Sequence, residues 1–177
     1  YSNVALGGFA FRVNTTGYSN TAVGYNAAQA NVSGSENVAI GRAALYLSVS
    51  GHQNVAVGRG TLYNNISATN TVAVGFGAGS GTGNYSNEGG VYVGYRSGYS
   101  AANGSSYNTM LGYESGYGVT SGARNLLLGY NAGYSGTNLT TGSDNIIIGN
   151  NIGATSTSMT RGLNIGNLLF GTGLDGT

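Results

Sequence analysis

The sequence predicts an all-β chain wound as a parallel β-solenoid of about nine coils, each a repeat of ~17 residues. Three observations carry this. A five-residue phrase recurs: Asn20-Thr21-Ala22-Val23-Gly24, then Asn37-Val38-Ala39-Ile40-Gly41, then Asn54-Val55-Ala56-Val57-Gly58. The glycines that close the phrase (Gly7, Gly24, Gly41, Gly58, Gly75, Gly94, Gly112, Gly129, Gly149 and Gly166) are separated by 17, 17, 17, 17, 19, 18, 17, 20 and 17 residues. A fixed rung is kept while the connections absorb insertions, as solenoids do. Finally, glycine recurs too often for helices, and no apolar period of 3.6 residues survives.

Each unit reads in three parts. A Ser/Thr-Gly turn signal comes first, as in Thr16-Gly17, Ser33-Gly34, Ser50-Gly51, Ser121-Gly122 and Thr141-Gly142. The phrase itself follows as a strand of four or five residues, rich in β-branched side chains. A second short extended leg is expected last, as over residues 42–46 and 130–134.

Alternation along the strand separates two faces. Val38 with Ile40, Val55 with Val57, Val91 with Val93, Leu126 with Leu128 and Ile146 with Ile148 share one face, expected to meet an apolar core. The other carries Ala5, Ala22, Ala39, Ala56 and Ala73, then Tyr92, Met110, Leu127 and Ile147. Stacked alanines imply close approach of another backbone layer. Their replacement by large residues predicts a transition near residues 84–92, where the layers separate or the cross-section changes. The chain accordingly divides into regular repeats at 1–83, looser repeats at 84–153, and a cap or transition to a following module at 154–177. The tail shortens the rhythm: Gly171 follows Gly166 by five residues.

Equivalent residues of successive coils stack ~4.8 Å apart, so columns matter more than single residues. Asn3, Asn20, Asn37 and Asn54, resumed by Asn108, Asn125 and Asn145, predict an amide ladder along the axis. Just after each closing glycine run Tyr25, Arg42, Arg59, Phe76, Tyr95, Tyr113 and Tyr130. Five residues after it come Tyr46, Tyr63, Tyr99, Tyr117 and Tyr134. Rings and guanidinium groups stack well, and the favoured reading of both columns is structural. As a binding surface they would form an aromatic and arginine strip facing a ligand.

Composition narrows the function. Of 177 residues 34 are Gly, none is Pro or Cys, and all six basic residues are Arg against five Asp and Glu. A net charge of +1 gives no electrostatic reason to expect nucleic acid, an anionic membrane or an acidic substrate as partner. No apolar run approaches the ~18 residues of a membrane span. Tyr1-Ser2-Asn3 matches Tyr18-Ser19-Asn20, so the chain opens mid-repeat and reads as a segment of something longer.

Titratable groups are sparse. Glu36 and Asp144 share a column, but six coils separate them by roughly 29 Å, beyond the about 5–10 Å that paired glycosidase carboxylates need. Arg124 stands one coil before Asp144, which predicts a surface ion pair. His52 is the single histidine, and without cysteine no zinc site is expected. The glycine-rich stretch 75–81 lacks the Gly-Lys-Ser/Thr ending of a phosphate loop, and the turns lack the Asp of calcium-binding rolls. No catalytic residue, metal or cofactor is expected. Asn-x-Ser/Thr sequons occur at Asn14, Asn31, Asn65, Asn84, Asn103 and Asn138.

The units at Asn20-Thr21-Ala22-Val23-Gly24 and Asn37-Val38-Ala39-Ile40-Gly41 resemble the head repeats of YadA-like trimeric autotransporter adhesins. They are equally similar to β-roll segments of bacteriophage tail fibres and other bacterial surface fibres. The likeness covers about residues 1–150. It implies a left-handed β-roll, a homotrimer whose core takes one apolar strand face from each chain, and an extracellular position on a cell surface or virion fibre. It further implies a structural or adhesive role without catalysis, attaching to a host-surface or matrix protein or a glycan. The adhesin unit is shorter than 17 residues, and Tyr92, Leu127 and Ile147 depart from its central Ala, so no binding residue is carried over. The terminal Leu163-Asn164-Ile165-Gly166-Asn167-Leu168-Leu169-Phe170-Gly171 resembles the lead-in to chaperone domains of some phage fibres. An ice-binding solenoid, which needs a regular Thr array, and a polysaccharide-degrading tailspike are the weaker alternatives.

Overall fold

The computed structural model describes residues 2–171, and the proposed end of the cap at 172–177 lies outside the described residues. The chain is a parallel β-solenoid of about ten coils. Ten three-residue strands stack in sequence order: β1 (Val4–Leu6), β2 (Thr21–Val23), β3 (Val38–Ile40), β4 (Val55–Val57), β5 (Val72–Val74), β6 (Val91–Val93), β7 (Thr109–Leu111), β8 (Leu126–Leu128), β9 (Ile146–Ile148) and β10 (Leu163–Ile165). An eleventh, β11 (Leu169–Gly171), folds back antiparallel onto β10. The tenth coil exceeds the nine expected because β10 pairs in parallel with β9, Leu163 opposite Ile146, where the sequence suggested the run was closing. Register is kept throughout: Ala22 pairs with Ala39, Ala56 with Ala73, and Ala73 with Tyr92.

Each strand is stopped by its closing glycine. Gly41 has φ 128°, a region that L-residues with a Cβ avoid. A Cβ there would lie 2.6 Å from the carbonyl oxygen of Gly58 in the next coil. The glycine column is therefore a plane of direct backbone contact between coils. Gly166 breaks the pattern with φ 59°, and it is there that the parallel run gives way to the β10–β11 hairpin.

The second leg is not extended, contrary to the sequence reading. It is a turn in which every other residue is left-handed: Ala43 at φ 57° and Leu45 at 51°, Asn131 at 52° and Gly133 at 75°. Alternating handedness points successive N–H groups in opposite directions along the axis. Ala43 N–H donates to Tyr25 O of the coil before (2.9 Å) and Leu45 N–H to Thr61 O of the coil after (3.0 Å). Backbone groups that a strand would satisfy are thus paired without one.

The two strand faces are also opposite to expectation. The central residues point inward and are fully buried, from Ala22 through Tyr92 to Ile147. The flanking Val, Ile and Leu residues point outward: Leu6 is 66% exposed, Leu111 43% and Ile40 40%. A coil this thin has room inside for one side chain per strand, and the central position takes it.

The interior also explains the change of central residue. The wall opposite the strand is the fourth residue after the closing glycine. Alanine-centred strands face Ala28, Leu45 and Leu62, all buried. Large-centred strands face Gly98, Gly116 and Gly133 instead. At the junction a Cβ on Gly79 would lie 2.8 Å from both Leu62 Cδ2 and Tyr92 Cδ2. No separation of layers is needed, because side-chain volume passes from one wall to the other while strand register continues.

The asparagine ladder runs through the buried third edge. Asn37 Nδ2 donates to Asn20 Oδ1 (3.1 Å) and Gly51 O (2.7 Å), while its Oδ1 accepts from Asn54 N (3.1 Å) and Asn54 Nδ2 (2.9 Å). The ladder lapses at Thr71 and Gly90. At Gly90 a Cβ would lie 2.8 Å from Cζ of Tyr92, whose hydroxyl accepts from Asn87 Nδ2 (2.9 Å) and donates to Ser105 O (3.1 Å). Tyr92 therefore supplies from the core the polar link that asparagine supplies elsewhere.

Candidate functional site

The two aromatic columns proposed from sequence lie along one side of the solenoid, separated from the outward Val and Ile columns by the closing glycines. The first column stacks Phe76 on Tyr95 (5.4 Å between ring centroids), Tyr95 on Tyr113 (4.9 Å) and Tyr113 on Tyr130 (5.3 Å). Below Phe76 the column continues as Arg59, whose guanidinium lies 5.4 Å from the Phe76 centroid, then Arg42 and Tyr25. Tyr25 meets Phe9 edge-on at 5.7 Å. The second column stacks Tyr46 on Tyr63 (4.8 Å), Tyr99 on Tyr117 (5.2 Å) and Tyr117, tilted, on Tyr134 (4.7 Å). The one-coil repeat sets these spacings, which are those of favourable offset ring pairs.

Between the columns runs a groove floored by the second residue after each closing glycine. Where that residue is Ala43, Gly60 or Gly77 the groove deepens into a recess of about 300 Å³. Arg42, Arg59 and Phe76 line one wall, and Tyr46, Tyr63, Ser80 and Tyr99 the other. Asn26 closes one end. Beyond Tyr99 the floor residue is Arg96, whose guanidinium lies 5.2 Å from the centroids of both Tyr95 and Tyr99 and so ties the columns together.

Sequence reasoning missed six of these residues: the floor positions Ala43, Gly60 and Gly77, the end residue Asn26, and Arg96 and Ser80. Arg96 falls outside both columns in the repeat, and only the left-handed turn brings it between them. Ser80 is the one break among the rings of the second column between Tyr46 and Tyr134; the signal was its position five residues after Gly75.

Tyr113 and Tyr117 are pushed above the ordinary tyrosine value, first by desolvation and then by neighbouring phenols and Glu114. Arg124 and Asp144 make the expected exposed ion pair, Nε to Oδ1 at 2.6 Å and Nη2 to Oδ2 at 3.0 Å. It holds Asp144 below the usual carboxylate range, chiefly through the Arg124 hydrogen bond. Such exposed pairs add little to stability. Glu36 accepts from Gln53 Nε2 (2.9 Å) and Glu88 from the Tyr107 hydroxyl (2.6 Å), which pushes the Tyr107 phenol up.

His52 is exposed, and its Nδ1 accepts a hydrogen bond from Ser35 N–H (3.2 Å). Among the described residues no three His, Asp or Glu side chains converge on a point that could hold a metal ion, and no helix is long and apolar enough to cross a membrane. Of the sequons, Asn31 and Asn65 are buried, whereas Asn84 and Asn103 are exposed. Thr21 and Thr109 lie on the outward strand face and Thr71 is buried at a ladder position, whereas Thr120, Thr140 and Thr157 follow one another on successive coils, Thr120 N–H donating to Thr140 O and Thr140 N–H to Thr157 O (2.8 Å each).

Comparison of the chain with protein-family models, with curated proteins and with solved structures finds no match.

Proposed function

We propose that the chain is a structural and adhesive segment of an extracellular trimeric fibre, which displays or spaces a surface for attachment and performs no catalysis. The observation that supports this is the outward strand face. Val, Ile and Leu columns run the length of the sheet, with Val4, Leu6, Ile40, Val74, Leu111 and Ile146 exposed in the single chain. An apolar face of this length calls for a partner, and one that repeats at every coil suits a second and third copy of itself, stacked in the same register. A second support comes from the sequence. The repeat phrase resembles trimeric adhesin heads, and that resemblance carries the extracellular placement. A bacteriophage tail-fibre shaft or receptor-binding segment is the second reading, favoured by the β10–β11 hairpin in the stretch that resembles the lead-in to fibre chaperones.

Sedimentation equilibrium tests the reading. The expected species has three times the 17.8 kDa chain mass, and the pair of substitutions Ile40→Ser and Val57→Ser shifts it toward monomer while circular dichroism stays unchanged. A stable, folded wild-type monomer at micromolar concentration would overturn it.

A further inference from the structure

We propose that the recess between the aromatic columns is a binding site for a carboxylated sugar residue within an acidic glycan. The proposal rests on the reading of this chain as an attachment surface and names its ligand class. It is carried by a break in the repeat. Tyr46 and Tyr63 stack at 4.8 Å, and Tyr99 and Tyr117 at 5.2 Å, but between Tyr63 and Tyr99 the column holds only Ser80. Two coils, roughly 10 Å, therefore separate the stems of two tyrosines where every neighbouring step supplies a ring. The floor drops at the same place, since a Cβ on Gly60 would meet nothing within 4 Å. Tyr99 leans over Gly77, 3.3 Å from where its Cβ would be, and forms the upper wall.

Charge selects the occupant. Arg42 and Arg59 stand on consecutive coils at equivalent positions in the opposite wall, and the ion pair found among the described residues uses neither. The Arg59 guanidinium is held over the Phe76 ring, 5.4 Å from its centroid, and both residues line the recess. Two adjacent guanidinium groups repel unless an anion lies between them, and their planar forks match a carboxylate bidentately. A pyranose offers a flat C–H face to tyrosine rings, hydroxyls to their phenols, and in a sugar acid the carboxylate as well. The recess has the volume of a small-molecule site, about 300 Å³, bounded along the groove by Asn26 at one end and by Arg96 beyond Tyr99 at the other, so a single sugar residue is what it takes in. The net charge of only +1 gives no long-range pull on any polyanion, nucleic acid or glycan, so recognition of the carboxylate falls to the local Arg42 and Arg59 pair.

The test uses the whole chain and polygalacturonate oligosaccharides, measured by titration calorimetry against the same oligosaccharides with their carboxyl groups reduced to alcohols. Wild type is expected to bind the acidic form, and the reduced form at least about tenfold more weakly, one charge-assisted contact's worth. Arg42→Gln and Ser80→Tyr, the second filling the missing ring position, are each expected to weaken the acidic form by a similar factor. Neither alters sedimentation, so the site and the fibre reading fail separately: a monomeric wild type that binds overturns only the latter. The site proposal is overturned by absence of binding, by equal affinity for both forms, by indifference to either substitution, or by polyglutamate binding as tightly as the glycan.

Discussion

Leu127 occupies the volume that Gly133 leaves empty. A Cβ on Gly133 would lie 2.9 Å from Leu127 Cδ1, so the two walls of this coil are complementary in size. Two residues that share one space must be coupled. Leu127→Ala is expected to cost ~2–5 kcal/mol through a cavity. Gly133→Leu is expected to cost ~1–3 kcal/mol or more through overpacking. Combined, they should recover much of the loss, because they recreate the arrangement of Ala39 facing Leu45, and Leu45 already tolerates the left-handed backbone at φ 51°. A double-mutant cycle in urea measures the coupling. Additive losses would show that the seam is not shared.

The asparagine ladder should show a different dependence, on depth rather than volume. Asn37→Ala removes an amide that makes four buried side-chain hydrogen bonds and leaves Gly51 O and the Asn54 amides short of partners. The expected loss is roughly 3–5 kcal/mol, since each unpaired buried group costs about 1–3. Asn3→Ala, at the partly exposed end of the same ladder, is expected to cost less than half as much. Urea midpoints compare the two. Equal losses would mean that burial does not set the cost.

The repeat phrase made the coil, its register and the ladder legible, because all three depend on residue type recurring at fixed spacing. The direction of the strand faces was not. Val55 and Val57 look like a core pair in sequence, and only the narrowness of the coil sends Ala56 inward and the valines out. The left-handed turn was hidden for a related reason. Ala43 and Leu45 occupy backbone positions that glycine takes in other coils, at Gly77 and Gly79, so the signal lay in comparing columns rather than in either coil alone. The columns of the groove were legible residue by residue, but its depth was set by a missing ring at Ser80 and by small floor residues. Absences of that kind stand out only once the rings beside them are seen to stack.

Tyr85 and Tyr92 should give the protein an alkaline limit. Burial pushes Tyr85 well up and Tyr92 to about 12 from an ordinary 10.0, with hydrogen bonds from neighbours opposing. Both folded values lie above the unfolded one, so the neutral phenols' contribution is complete below pH 10 and is lost as pH rises toward the folded values. For Tyr92 alone the loss over that window is on the order of 3 kcal/mol. Ultraviolet titration should find two phenols that ionise only on unfolding, and Tyr92→Phe should remove one of them. If every tyrosine titrates near 10 in the folded protein, the interior is wetter than its packing indicates.

Two glycines of neighbouring coils should respond oppositely to alanine. Gly41 combines φ 128° with a Cβ site 2.6 Å from a backbone oxygen of the next coil, and backbone there cannot retreat without parting the coils. Gly41→Ala is expected to unfold the surrounding coils, a loss of several kcal/mol given strain and steric overlap together. Gly60 sits at φ 66° with open space around its Cβ site, and the equivalent position one coil earlier is already Ala43 at 57°. Gly60→Ala carries about 1 kcal/mol of left-handed strain, offset by a stiffer unfolded chain, so its midpoint should stay close to wild type. Thermal melts of the two variants decide the matter. A tolerated Gly41→Ala would show that the closing glycines mark a habit of the repeat and not a contact plane between its coils.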